Sequence, residues 1–261
     1  MALYIVPVPI GNLKDITLRA IEVLKNVDFI IVEDTRYSLK LLNSLGIKKR
    51  LYSYYKPKEE EKSEKIIKYL DGKDGALITD SGTPLISDPG LILIRKVIEK
   101  GIEIISLPGP TAFVPALTNS GLPSDNFLFI GFSPRREGKL RRFLEQFRDI
   151  NFTMIFYESP RRVEKFMEMA FQVFGNRKFS ISKELTKKNE KVVRGNLEEH
   201  KGISEEIKFL GEFVIVIEGK TGSDAEDIIE LKTVDDIYNH FREKYGISKN
   251  KIKKILMGGK R

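Results

Sequence analysis

Leu3-Tyr4-Ile5-Val6-Pro7-Val8-Pro9-Ile10-Gly11-Asn12 decides the fold, because an apolar run breaks there into prolines, a glycine and an asparagine. The run reads as a buried strand over residues 3–8, and the break reads as a loop at its carboxyl end. Outward from it, residues 17–26 follow a helical period with Ile21 and Leu24 on one face, capped by Asp15 or Thr17. A strand over 29–32 runs into Glu33-Asp34-Thr35-Arg36, and a helix over 38–45 stops at Gly46 as a C-cap glycine would stop it. The same unit recurs with a helix over 60–70, a strand over 75–79, a helix over 91–100 ended by Gly101, and a strand over 102–107. Strands alternating with helices across short loops predict βαβ units and a mainly parallel sheet.

The turn Gly121-Leu122-Pro123-Ser124-Asp125 starts a second series. Strands are expected over 127–132, 153–157, 179–185, 192–195 and 212–217, with a helix over 162–174, so this half is mixed and contains hairpin-like pairing. Beyond Gly219 the chain turns polar, and two short amphipathic helices over 234–245 and 249–256 flank Gly246-Ile247-Ser248. They suit either a helix-turn-helix module or a helical pair packed on its own domain. The expected organisation is an α/β domain over 1–118, a second α/β domain over 119–222 and a basic helical extension over 223–261.

A chain of 261 residues with 41% hydrophobic content can fill two cores. It has no cysteine, hence no thiolate nucleophile and no cysteine-ligated metal. Its two histidines, His200 and His240, lie away from the Gly/Pro-rich loops, which argues against a histidine triad and a multi-histidine metal site. The first residues lack a basic leader and no apolar run approaches membrane-spanning length, so no membrane role and a cytoplasmic location are expected. The formal charge is +8, and residues 232–261 carry nine Lys/Arg against three Asp/Glu. Such a balance suits a nucleic-acid partner or a solvated lysine-rich surface.

Three loops follow apolar runs: the one at Pro7 to Asn12, Asp80-Ser81-Gly82-Thr83-Pro84, and Pro108-Gly109-Pro110-Thr111-Ala112. In an open α/β sheet, ligands bind outside the carboxyl ends of the strands. The loops contain neither Gly-x-x-x-x-Gly-Lys-Ser/Thr nor Gly-x-Gly-x-x-Gly, and their prolines remove amide donors that a polyphosphate would need. An uncharged or zwitterionic small molecule is expected instead, held by carbonyls, hydroxyls and shape.

These loops, with Asp15-Ile16-Thr17-Leu18-Arg19-Ala20, Glu33-Asp34-Thr35-Arg36, Leu85-Ile86-Ser87-Asp88-Pro89-Gly90, Phe156-Tyr157-Glu158-Ser159-Pro160 and Lys183-Glu184-Leu185-Thr186-Lys187, resemble the tetrapyrrole methylase superfamily over residues 3–219. Within it they are most similar to the bacterial 16S ribosomal RNA cytidine 2'-O-methyltransferases. The resemblance implies a two-domain tetrapyrrole-methylase-like fold with a small helical C-terminal extension, S-adenosylmethionine as methyl donor in the interdomain cleft, and a homodimer. It places the cofactor against Pro9, Ile10 and Gly11, against Asp80, Gly82, Thr83 and Ile86, and against Thr111 and Ala112. Tyr157, Glu184, Leu185 and Thr186 would form the other wall.

Departure of the proton from a ribose hydroxyl calls for a carboxylate or neutral lysine, which makes Asp34 or Glu33, Glu158, Lys183 and Glu184 candidates, with Arg36 for the target phosphate. The alternative for each of them, and the more frequent role of such residues, is a structural ion pair. Where family members commonly carry histidines, this chain has Tyr37 and Arg161, and Ile130 replaces a motif glutamate. Arg135, Arg136, Lys139, Arg141 and Arg142 form a basic stretch that, with Lys249, Lys251, Lys253 and Lys254, suits RNA phosphates of a small ribosomal subunit. Two other readings remain at this point: a relative methylating a tetrapyrrole or protein residue, and a noncatalytic RNA-binding protein.

Overall fold

Four consecutive apolar residues at Phe29–Val32 are buried together only if helices cover both faces of their sheet. The computed structural model, which describes residues 1–55 and 59–221, has that arrangement. Strands β1 (Ala2–Ile5), β2 (Phe29–Val32), β3 (Arg50–Ser53), β4 (Gly75–Leu77) and β5 (Glu103–Ser106) are all parallel and lie in the order β3-β2-β4-β1-β5. Side chains alternate between faces along each strand. Ile30 and Val32 therefore pack with Ala20 and Leu24 of α1 (Leu18–Asn26) and Leu42 of α2 (Thr35–Ser44). Phe29 and Ile31 face Ile66 of α3 (Glu59–Tyr69) and Leu93 and Val97 of α4 (Leu91–Glu99).

The expected parallel sheet is present, with differences that have local causes. Pro7 cannot donate to a ladder, so β1 stops at Ile5; the Val6 amide still donates to the Leu77 carbonyl at 3.0 Å, and an isolated bridge at Val8 continues the line. Of the two capping candidates for α1, Thr17 does the work: its hydroxyl accepts from the Ala20 amide at 3.0 Å. Helix α2 begins at Thr35 rather than residue 38, because the Asp34 carboxylate caps it through the Arg36 amide. The edge strand β3 and helix α5 (Phe113–Ser120) were not expected from sequence.

The second sheet has the order β6-β7-β10-β8-β9, where β6 is Phe127–Phe132, β7 Thr153–Glu158, β8 Lys178–Lys183, β9 Lys191–Asn196 and β10 Phe213–Ile217. Only β6 and β7 pair in parallel; the other neighbours are antiparallel, as the mixed pattern predicted. One face, with Phe156, Ile181 and Ile215, packs on Leu140 and Leu144 of α6 (Glu137–Glu145) and on Phe166, Met167 and Ala170 of α7 (Val163–Phe174). The opposite face, with Ile155, Val214 and Val216, packs on Ala116 and Leu117 of α5 and on Ile10. Helix α5 thus joins the two sheets, which lie in one compact unit, Met1–Lys220.

The basic stretch falls on α6 and the turn before it. Leu140 and Leu144 point inward, while Arg135, Arg136, Lys139, Arg141 and Arg142 are exposed. The helical extension expected over 223–261, with Lys249, Lys251, Lys253 and Lys254, lies outside the described residues. No helix among the described residues is long and apolar enough to cross a membrane.

Candidate active site

The sheet order makes the three Gly/Pro-rich loops spatial neighbours: they leave β4, β1 and β5, which lie side by side. They are also fastened to one another. Val8 and Gly82 exchange amide hydrogen bonds of 2.9 and 3.0 Å, a bridge that needs the left-handed conformation Gly82 adopts at φ 82°. The Thr83 hydroxyl donates to the Pro110 carbonyl at 2.8 Å, linking the second loop to the third. A Cβ on Gly109 would sit 2.6 Å from Cβ of Pro7, so the first and third loops touch backbone to ring.

The opposing wall comes from the carboxyl ends of β7 and β8 and the start of β10. Between the walls is a cavity of about 390 Å³. Ile10, Gly82, Thr83, Ile86, Thr111 and Ala112 line it from the first side, and Tyr157, Glu158 and Leu185 from the second. Sequence reasoning did not single out Ser81, Ser87 and Asp88 of the middle loop for this role, nor Phe132, Ser159, Pro160 and Ser182, nor Gly211 to Val214. The Gly211 to Val214 residues had a findable signal: they enter a strand paired between β7 and β8, which both carry motif residues.

Other candidates stand beside the cavity rather than on its wall. Pro9 and Gly11 flank Ile10, and a Cβ on Gly11 would lie 2.9 Å from Thr186 Oγ1 and 3.1 Å from the Leu185 carbonyl. Glu184 and Thr186 bracket Leu185 in left-handed conformations, φ 50° and 66°; Leu85 and Ser87 do the same around Ile86, at 75° and 71°. These are the positive-φ non-glycine residues of the described chain, and all hold the cavity's loops. Lys183 lines a separate recess with Glu184, Lys191 and Lys208, so the structure does not bring it to the cavity.

Glu158, proposed above as a proton acceptor, has a fully buried side chain. The Ser133 hydroxyl and the Ser159 amide, at 2.8 Å, both donate to it, and Arg162 lies 3.4 Å away. Arg162 also donates to Ser133 Oγ at 2.8 Å and to the Pro134 carbonyl at 2.6 Å. Glu158 is therefore an anchor for the second wall. Glu184 is subject to opposing influences: burial raises its pKa, but the Lys187 hydrogen bond at 2.9 Å, the Glu212 amide and nearby lysine charges outweigh it, leaving the group below its ordinary value. Burial raises the Tyr157 phenol, partly offset by hydrogen bonds with Thr111 and the Phe113 backbone on the facing wall.

Asp34, Arg36 and Asp80 are not among the residues lining the cavity; next to its middle loop, Arg36 binds Asp34 with its guanidinium at 2.6 Å and its amide at 2.8 Å, holding that carboxyl down at about 2. The Asp34 amide in turn donates to Asp80 at 3.2 Å, while burial keeps Asp80 above its usual value. Asp34 is thus a weak base, fixed as a helix cap. Its folded pKa lies below the ordinary 3.8, so the stabilisation it gives is present above pH 4 and is lost as pH falls towards 2. Asp34→Asn keeps a cap but removes the charge. Urea midpoints of the two proteins are expected to differ at neutral pH and to converge between pH 4 and 2; a constant gap would show that the Arg36 pair contributes nothing.

Two buried hydroxyls at and beside the cavity have no partner among the described residues. They are Ser182 Oγ, on the cavity wall, and Thr186 Oγ1. Of the charged wall residues Asp88, Glu158 and Glu212, all acidic, Glu158 has its carboxylate buried against Arg162, and the lining between them is apolar at Ile10, Leu185 and Val214. Such a site favours a compact cationic or zwitterionic ligand over a polyphosphate.

Comparison with known proteins agrees with this architecture. The family model of the Tetrapyrrole (Corrin/Porphyrin) Methylases matches residues 2–201. The chain is 38% identical over 259 residues to the Ribosomal RNA small subunit methyltransferase I of Bacillus subtilis, covering 98% of this chain and 89% of that protein. It is 44% identical over 218 residues to the protein of that name from Halalkalibacterium halodurans, covering 83% and 75% of the two chains. With the Thermotoga maritima protein of that name the figures are 39% over 219 residues, 84% and 98%. A crystal structure of uroporphyrin-III-C-methyltransferase from Thermus thermophilus superposes with TM-score 0.57 at 18% identity, covering 83% of this chain and 94% of that one, a likeness of fold.

Proposed function

Because the chain belongs to the tetrapyrrole methylases, we propose that it uses S-adenosylmethionine to methylate 16S ribosomal RNA in the small subunit, at the ribose 2'-hydroxyl of a cytidine. The observation that carries this reading is a cleft of methylase architecture with an acidic, hydroxyl-rich wall, in a chain aligned almost end to end with a ribosomal RNA methyltransferase.

The residues present fit the donor. Gly82, Thr83 and Thr111 offer backbone and hydroxyl contacts on one side; Ser182 offers an unsatisfied hydroxyl on the other, with Ile10 and Leu185 as apolar lining. When bound, the donor supplies a methyl group already activated by a positively charged sulfur. What the chain must add is position: loops fastened at Val8–Gly82 and Thr83–Pro110 hold the cleft wall in place. Asp34 is assigned to fixing the loop and Arg36, its side chain 83% exposed, to the target phosphate. Arg135, Arg136, Lys139, Arg141 and Arg142 are assigned to RNA backbone, as are the lysines 249, 251, 253 and 254. We further place the enzyme in the cytoplasm as a homodimer.

Incubation with labelled S-adenosylmethionine and small subunits from a strain lacking decoding-site methylation tests the proposal. Label on a ribose 2'-oxygen, resistant to alkaline cleavage, is expected, with turnover falling steeply between 50 and 200 mM salt on the order of the counterion-release effect. Donor binding without transfer to subunits or free RNA would overturn it and direct the search to tetrapyrrole and protein acceptors.

A further inference from the structure

The end of β6 carries an unusual side chain. Phe132 is 61% exposed yet lines the cavity, and nothing in the proposed donor site requires a large exposed aromatic there. Its direction is set by a β-bulge. Phe129 pairs with Ile155, but Gly131 pairs with Phe156 and Phe132 with Tyr157, so Ile130 is an extra residue in the register. In a regular strand, residues 129 and 131 would share the cleft face and 132 would turn towards the α6–α7 core. Ile130 faces that core as it would in a regular strand, and the extra residue re-aims Phe132 to the cleft face, beside Tyr157. Gly131 permits this at φ 76°, where an added Cβ would lie 3.2 Å from Ser87 Oγ.

Phe132 ends a row of rings. Phe113 and Phe129 have centroids 4.9 Å apart, Phe129 and Tyr157 5.0 Å, and Tyr157 and Phe132 5.5 Å, the last edge to face. Tyr157 therefore braces Phe132 from one side. The next residues, Ser133 and Pro134, are clamped by Arg162, and exposed Arg135, Arg136 and Lys139 follow at once. A rigid exposed ring at a cleft mouth, continuous with a cationic track, is the combination that holds unstacked nucleotides: the charges take phosphates and the ring takes a base.

The geometry points to Phe132 as the stacking platform for the base of the target nucleotide, holding it out of its RNA stack so that its ribose reaches the cavity. This inference rests on the RNA-methylation reading above and deepens it by naming the residue that receives the base. The chain has no tryptophan, so F132W introduces a single indole whose fluorescence reports stacking directly.

The test compares F132A, F132L, F132Y and F132W in the full chain. For F132A and F132L, KM for unmethylated small subunits is expected to rise about 10- to 100-fold, with F132Y and F132W close to the parent. The donor Kd and the oligomeric mass are expected to stay unchanged in all four, and subunits should quench F132W fluorescence. Three results would each overturn the inference: F132L matching the parent, which would reduce the role to apolar contact; F132A weakening donor binding as much as subunit use, which would give the ring to the cofactor; or F132A changing the oligomeric mass, which would make it a contact with a second copy. Failure of the parent protein to label subunits overturns the earlier reading, whereas an active parent with unquenched F132W fluorescence overturns this one alone.

Discussion

Gly109→Ala is expected to weaken S-adenosylmethionine binding by about 10- to 100-fold while leaving the protein folded. The added Cβ falls 2.6 Å from Cβ and 2.9 Å from Cγ of Pro7, below any real van der Waals contact. Pro7 cannot give way by changing rotamer, since its ring is part of the backbone. The first and third loops must therefore separate, carrying Ile10 away from Thr111 and Ala112 on the same cavity wall. Overpacking of this kind costs about 1–3 kcal/mol of stability, and an ångström of displacement in a site costs on the order of a hundredfold in function. Calorimetric titration with the donor, beside a urea melt, separates the two effects. A folded G109A protein with the parent's affinity would show that the contact between loops does not shape the cleft.

The second large effect is expected at Glu158. Removing its carboxylate in E158A leaves the Arg162 guanidinium, 24% exposed, without its counter-charge, and orphans the donors Ser133 Oγ and Ser159 N–H. Breaking a buried pair costs about 3–5 kcal/mol, and the partial exposure of Arg162 puts the expected loss at the low end, about 3 kcal/mol. E158Q keeps the shape and one acceptor, so a smaller loss of about 1–2 kcal/mol is expected. The pair also separates anchoring from proton transfer. As an anchor, E158Q binds the donor and methylates RNA within about tenfold of the parent, a modest loss beside the 10²–10⁴-fold usual for general-base removal. An E158Q protein that folds and binds donor but transfers no methyl group would make Glu158 the proton acceptor.

Much of the fold was legible because the first half obeys simple periodicities. The run Phe29–Val32 has no polar residue to hide, and α2 follows β2 across only Glu33 and Asp34. What escaped did so for physical reasons. Strand β3 is a four-residue edge strand, Arg-Leu-Tyr-Ser, with little apolar patterning to mark it. Helix α5 contains Pro115, which reads as a breaker but sits in the first turn, where a missing amide costs nothing. Helix α6 was visible only as a basic stretch, since Leu140 and Leu144 are its only buried positions.

The cavity was legible where loops carry motifs and illegible where sheet register decides. Ser182 points into it because β8 pairs with β10, placing Ser182 opposite Val214, another wall residue. Phe132 points there only because Ile130 bulges, and a one-residue slip reverses every side chain beyond it. The ion pairs were legible as residue types but not as partners. Asp34 and Arg36 are two residues apart and found each other; Glu158 and Ser133 are separated by 25 positions, a pairing that only the folded β6–β7 neighbourhood creates.

The strand order has a consequence for how the chain comes into being. The ribosome releases β1 first, yet β1 sits between β4 and β5, with Leu3 opposite both Gly75 and Ile104. Its first neighbour emerges some seventy residues later and its second some thirty after that, so β1 must wait, unpaired and apolar, until β4 is out and stays an edge until β5 follows. The facing wall is completed by Val214, later still. A nascent chain therefore cannot hold its ligand until nearly the whole of the compact unit has left the exit tunnel, and ligand capture would time-stamp the end of folding rather than any stage along it.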